Sequence, residues 1–128
     1  EILIPCALIC AIADHTIDSI KAGIIVELAN GPICNITEEK IHESGITIIP
    51  DVLANAGGVV GSYFEWRNNK ENREEDEKEL LEELRGIMIQ SYEDIKKIAE
   101  KEETTLRNAA YILAARRIIE AEKKRNNI

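Results

Sequence analysis

The pattern of this chain predicts an α/β fold in which a three-stranded parallel sheet is followed by long C-terminal helices. Three observations carry that expectation. The runs Ile2-Leu3-Ile4, Ile24-Ile25-Val26 and Ile46-Thr47-Ile48-Ile49 do not alternate apolar with polar residues, as strands buried on both faces do not. Candidate helical stretches lie between the runs, which favours parallel strands joined by crossovers. From Ala56 onward the apolar residues recur at three- and four-residue steps instead.

Each element has its own justification. The first run is closed by Pro5, and Asp14 to Lys21 can form a helical turn or two with Asp14 or Thr16 as a cap. The second run ends at Asn30-Gly31-Pro32, a strong turn signal. Thr37 is expected to cap a short helix that Gly45 stops, and Pro50 closes the third run. Three strands leave at least one sheet edge open. A helix is expected from Ala56 to about Asn69, with Arg67 to Arg73 as a loop or a frayed end. Leu80, Leu84, Ile87, Met88, Ser91, Ile95 and Ile98 then form one stripe of a long helix. Thr104 or Thr105 caps a final Ala-rich helix through Leu106, Ala110, Leu113 and Ile118.

The chain's 128 residues suit one domain and are few for a complete two-domain enzyme. Its net charge of -8 argues against a generic phosphate-backbone or anionic-lipid binder. The cations Arg116, Arg117, Lys123, Lys124 and Arg125 are interrupted by Glu120 and Glu122, and they suit a helix C-terminus. No apolar run approaches the roughly 18 residues of a membrane span. Three cysteines, an odd number, without a signal peptide, point to a reducing, cytoplasmic setting. The chain opens without Met on a run that reads as a buried strand, so a fragment of a longer protein is expected.

Asn55-Ala56-Gly57-Gly58-Val59 lies between the third strand and a helix. Paired glycines there allow close approach of backbone to a ligand, although Asn55 as a helix cap would also explain the segment. Ala29-Asn30-Gly31-Pro32 follows the second strand, at the end of a sheet where ligands of open α/β folds bind, and a plain turn would serve as well. Ser62 either faces a cleft or bonds back to the preceding turn. Cys6, Cys10, Cys34, His15 and His42 show no zinc-like spacing, and the cysteines read as small core or loop hydrophobes.

Ile4-Pro5-Cys6-Ala7-Leu8, Ile25 through Pro32, Ile49 through Val59 and Ser62-Tyr63-Phe64-Glu65-Trp66 resemble, in order and spacing, the glutamate dehydrogenase family, which includes leucine, phenylalanine and valine dehydrogenases. Leu106 to Ala121 is similar to that family's C-terminal helix. The resemblance implies part of a Rossmann-type domain that holds NAD or NADP, within an enzyme interconverting L-glutamate with 2-oxoglutarate and ammonia. It implies that Cys6, Ala7, Asn30 and Asn55 face the cofactor and that Val59 and Ser62 line the substrate pocket. It places residues 1–71 in the second half of the dinucleotide-binding domain and 72–128 in a helical segment packed on it.

Leu28, Ile9-Cys10, Ile33-Cys34-Asn35-Ile36 and Gly61 depart from the family pattern, Leu28 standing where Gly is usual. The glycine-rich phosphate loop, the residue that reads the cofactor ribose and the family's catalytic groups would lie upstream. No catalytic residue is therefore expected on this chain, and the chain alone is expected to be inactive. Homo-oligomerisation through the exposed sheet edge or the helices is expected, with no nucleic-acid or membrane partner. The competing expectation is a non-catalytic or engineered α/β module used for folding or self-association.

Overall fold

Three parallel strands in the order β1-β2-β3 form the frame of the computed structural model, which describes residues 1–126. They are β1 (Ile2–Leu3), β2 (Ile24–Val26) and β3 (Thr47–Ile49), paired with Ile25 opposite both Leu3 and Ile48. A 3₁₀ helix (Asp14–Ser19) lies between β1 and β2, and α1 (Asn35–Glu43) between β2 and β3. The helices α2 (Asp51–Ala54), α3 (Gly57–Glu71), α4 (Glu77–Lys101) and α5 (Leu106–Asn126) follow. Because every strand runs the same way, all three C-terminal ends reach one rim.

The alternation of a strand sends successive side chains to opposite faces, and β3 uses this to join two cores. Ile48 packs on a cluster of Ile12, Ile25, Ile33 and Ile41, beneath the 3₁₀ helix and α1. Its neighbour Ile49 packs on Leu53, Ile95, Ala109 and Ala110, where α2, α4 and α5 meet. Small Ala109 and Ala110 let α5 come close to α4, while the long Ile and Leu side chains fill the space between.

The expectation of strands buried on both faces holds only at the centre. Ile25 is fully buried, but Ile2 is 61% exposed, because no β1 side chain joins either core cluster, whereas Ile48 and Ile49 of the other edge strand do. Several caps also differ from expectation. Thr37 lies inside α1, which starts after Cys34, and its buried hydroxyl donates to Asp14 Oδ1 at 2.8 Å. Asp14 is thus taken by Thr37 and by an ion pair with Lys40, and caps nothing. Thr16 holds the start of the 3₁₀ helix instead, its hydroxyl accepting from the Ala13 amide at 3.1 Å. Gly45 does stop α1, at φ +79°, a left-handed conformation that glycine adopts without strain.

The segment expected to be a loop or a frayed end, Arg67 to Arg73, is helical as far as Glu71. Arg67 lies over the Phe64 ring, with its guanidinium carbon 4.9 Å from the centroid, and Lys70 lies over Trp66 at 4.7 Å. These contacts, at three and four residues' spacing on one helix, give the polar stretch a reason to stay helical. Asn72 then ends α3 in the left-handed region at φ 49°. Asp76 caps α4 by accepting from the Lys78 amide at 2.9 Å, and Thr105 caps α5 by accepting from the Asn108 amide at 3.2 Å.

Candidate functional site

The rim formed by the C-terminal ends of the strands carries two side-chain amides in contact. Asn55 Nδ2 donates to Asn30 Oδ1 at 2.7 Å and reaches the Leu28 carbonyl at 3.5 Å. Asn55 does not cap α3, where Ala56 takes that place without a side-chain hydrogen bond. The β1 end is tied to the same rim, since the Pro5 carbonyl accepts from the Leu28 and Ala29 amides at 3.1 and 2.9 Å. Gly31 turns the chain at φ +55° and donates through its amide to Asp51 Oδ2 at 2.8 Å.

A layer of charge supports this rim from within. Asp51 Oδ1 accepts from the Val52 amide at 2.7 Å and from Arg107 Nη1 at 2.8 Å. Glu27 Oε2 accepts from the Asp51 amide at 2.8 Å and from Arg107 Nη2 at 2.5 Å. Arg107 Nε is shared between the two Glu38 oxygens at 2.8 and 2.9 Å. One guanidinium from α5 therefore links the end of β2, the start of α2 and helix α1. Its planar fork can serve several carboxylates at once, which a lysine ammonium cannot do in a fixed geometry.

Three carboxylates around one cation carry surplus negative charge, and the structure distributes its cost unevenly. Burial pushes the Glu27 carboxyl above its ordinary value, against the opposing hydrogen bonds from Arg107 and the Asp51 amide. Glu27 is fully buried, and among the described residues its Oε1 has no hydrogen-bond partner. Burial also acts to raise Asp51, but the Gly31 and Val52 amides and Arg107 outweigh it and hold that carboxyl below its ordinary value. Burial acts to lower Arg107, and Glu27 and Glu38 override it, so the guanidinium stays charged.

The six residues singled out from sequence fall in three places. Asn30 and Asn55 meet on the rim. Cys6 and Ala7 are exposed just beyond β1, where the Cys6 thiol donates to the Ile4 carbonyl at 3.2 Å. Val59 and Ser62 lie on the exposed surface of α3, with Val59 75% exposed. Leu28 is 44% exposed on the same rim as the amides.

Sequence reasoning missed Glu27, Glu38, Asp51 and Arg107. The signal for Glu27 was there: a lone acid continuing the apolar run Ile24-Ile25-Val26 has to find a partner if it is buried. Nothing in the sequence identifies Arg107 as that partner. A cleft lined by Glu38, His42, Thr105 and Arg107 lies between α1 and the start of α5, and neither asparagine lines it.

The donor set suits a neutral, amide-bearing ligand. Pro5 to Ile12 and Leu28 to Pro32 contain no charged side chain, which is poor for a diphosphate and suitable for a carboxamide and hydroxyls. Asn30 also keeps its side-chain NH2, and Asn55 its carbonyl oxygen, outside their mutual hydrogen bond. A nicotinamide and its ribose fit that pattern. Among the described residues no group of three or more His, Cys, Asp or Glu is placed to hold a metal. No described helix is long and apolar enough to cross a membrane. Arg116 and Arg117 of α5 pair with Glu102 and Asp94, each at 3.1 Å.

Comparison with known proteins gives a consistent result. Residues 1–126 match the family model described as Glutamate/Leucine/Phenylalanine/Valine dehydrogenase. The chain is 38% identical over 125 residues to the catabolic NAD-specific glutamate dehydrogenase of Bacillus subtilis, covering 98% of this chain and 30% of that protein. It is 38% identical over 122 residues to the NADP-specific glutamate dehydrogenase A1 of Halobacterium salinarum, covering 94% and 29%. The crystal structure of glutamate dehydrogenase from Peptoniphilus asaccharolyticus superposes with a TM-score of 0.90 at 33% identity, covering 98% of this chain and 32% of that one. The chain thus spans about a third of the length of these proteins.

Proposed function

The chain belongs to the Glutamate/Leucine/Phenylalanine/Valine dehydrogenase family, and on that premise we propose that it is the part of an NAD(P)-dependent glutamate dehydrogenase that holds the nicotinamide end of the cofactor. The whole enzyme would convert glutamate, water and the oxidised cofactor to 2-oxoglutarate, ammonium, the reduced cofactor and a proton, or run the reverse. The single observation that supports this reading most is the Asn55–Asn30 amide contact on the sheet's C-terminal rim.

In this reading Asn30 and Asn55 orient the carboxamide and ribose, and Cys6 and Ala7 border the cofactor at the β1 end. Val59 and Ser62 face the substrate's side-chain carboxylate once the rest of the enzyme closes over α3. The bound nicotinamide ring supplies the hydride acceptor or donor, while the protein sets position and excludes water. Relatives named for NAD and for NADP both match, so the proposal covers either cofactor. It assigns residues 1–71 to the cofactor domain and 72–128 to the helical segment braced against it. It also carries a cytoplasmic setting and self-association through the β1 edge or the helices, and no turnover by this chain alone.

Calorimetric titration with NAD and NADP tests the reading. Weak binding that disappears in Asn55→Ala, with the circular dichroism spectrum unchanged, is the expected outcome. No heat of binding at millimolar cofactor sinks it. The exposed Ile9 and Leu28 favour one second reading, a non-catalytic self-associating module. That alternative predicts a dimer that ignores both cofactors.

A further inference from the structure

The loop after β1 runs beside the segment that leads into α1. The Cys10 amide donates to the Gly31 carbonyl at 2.8 Å, Ile12 to Pro32 at 2.9 Å, and Cys34 back to Ile12 at 3.1 Å. Buried Ile12 and Ile33 bridge the two segments and fix their register. That register brings Cys34 Sγ to 4.0 Å from the Cys10 carbonyl. Cys10 is exposed and sits in the left-handed region at φ 50°. Cys6 is occupied elsewhere, its thiol turned to the Ile4 carbonyl just after β1.

We propose that Cys10 and Cys34 form a dithiol site for low-molecular-weight disulfides, closing a reversible bond between the β1 loop and the start of α1. Exposed Cys10 is the sulfur that a small disulfide reaches. Its thiolate attacks one sulfur of the reagent, forming a mixed disulfide and releasing one small thiolate. Cys34, as its thiolate, then attacks the Cys10 sulfur and expels the second. The protein loses two electrons and two protons, and the reagent is reduced to two thiols that take those protons up. The hydrogen bond with Cys10, followed by burial, raises the Cys34 thiol above its ordinary value, so the closing step quickens as pH rises. A reversible bond of this kind is compatible with a reducing compartment, where disulfides are transient and redox-sensing. Its ring, from residue 10 to 34, encloses β2 and the Asn30 turn and would hold the rim loop in place.

The protein and its Cys6→Ser variant are treated with oxidised glutathione and weighed by mass spectrometry. Cys10 and Cys34 should together lose two hydrogens in both, the Cys6→Ser protein should retain no glutathione, and dithiothreitol should reverse the change. Digestion at Lys21 and Lys40 should leave the peptide holding Cys10 joined to the peptide holding Cys34 in the Cys6→Ser protein. Cys34→Ser should retain glutathione on Cys10. Bonds to Cys6, cross-linked dimers, stable glutathione adducts on the Cys6→Ser chain, or no reaction would each overturn the proposal.

Discussion

Two arginines, Arg107 and Arg67, each gather several carboxylates, yet they do different work. Arg107 bonds Glu27, Asp51 and Glu38, residues 80, 56 and 69 positions away. Arg67 bonds Glu75 and Glu83, only 8 and 16 positions away, across the turn between α3 and α4. One of the Arg107 partners is fully buried, whereas the Arg67 partners keep 23% and 44% of their side chains exposed. The Arg107 cluster holds the rim under Asn30 and Asn55, and the Arg67 cluster fastens a helical hairpin. The contrast shows that counting ion pairs says little. What matters is whether a partner would be left charged in the interior.

Arg107→Ala should be the most damaging change. It leaves Glu27 and Asp51 without their cation, and breaking a buried pair by removing one partner costs about 3–5 kcal/mol. Chemical denaturation checks this, and a loss indistinguishable from that of Arg67→Ala would erase the contrast.

Asp51→Asn should cost less, roughly 1.5–3 kcal/mol near neutral pH, the range for hydrogen bonds to a charged group. Its pH dependence gives a second check. The Asp51 carboxyl is lowered in the folded state, so its contribution is complete above the unfolded value, about 3.9. That contribution fades as pH falls through the lower folded value. The gap between protein and variant should therefore close in acid. Glu27, raised by burial, has the opposite sign: its contribution is present below the unfolded value and is lost as pH rises through the folded one. Glu27→Gln should remove that decline, seen in denaturation midpoints measured across the acid range.

Gly61→Ala bears on the α3 side. A Cβ at Gly61 would meet nothing within 4 Å, and alanine favours the helix interior by about 0.5–1 kcal/mol. A small rise in melting temperature is expected, and destabilisation would contradict the open space beside α3. Arg67→Ala should cost less than Arg107→Ala, because the carboxylates it leaves behind stay partly in water, and added salt should shrink the ion-pair share of that loss.

The strands were readable because branched aliphatic runs are local signals, and β2 falls on Ile24-Ile25-Val26 as expected. The rim was readable in part, because parallel strands place their ends together and both asparagines follow strands. Other features depend on contacts that local reading does not contain. The helical state of Arg67 to Glu71 rests on ring stacking and on partners in the next helix. Thr37 looked like a cap until Asp14, 23 positions earlier, took its hydroxyl. Arg107 carried no local mark of its role, since it sits in a helix where a solvated arginine would be equally ordinary.

The distance between Arg107 and Glu27 bears on how the molecule comes into being. Made on a ribosome at about 5–20 residues per second, the nascent chain would wait about 4–16 s after Glu27 for an arginine 80 positions later. Until then β2 would carry an acid with no cation to meet it. The asparagine rim would thus be among the last features to mature, and a nascent chain stopped short of α5 would offer a holdase chaperone a sheet without its covering helix.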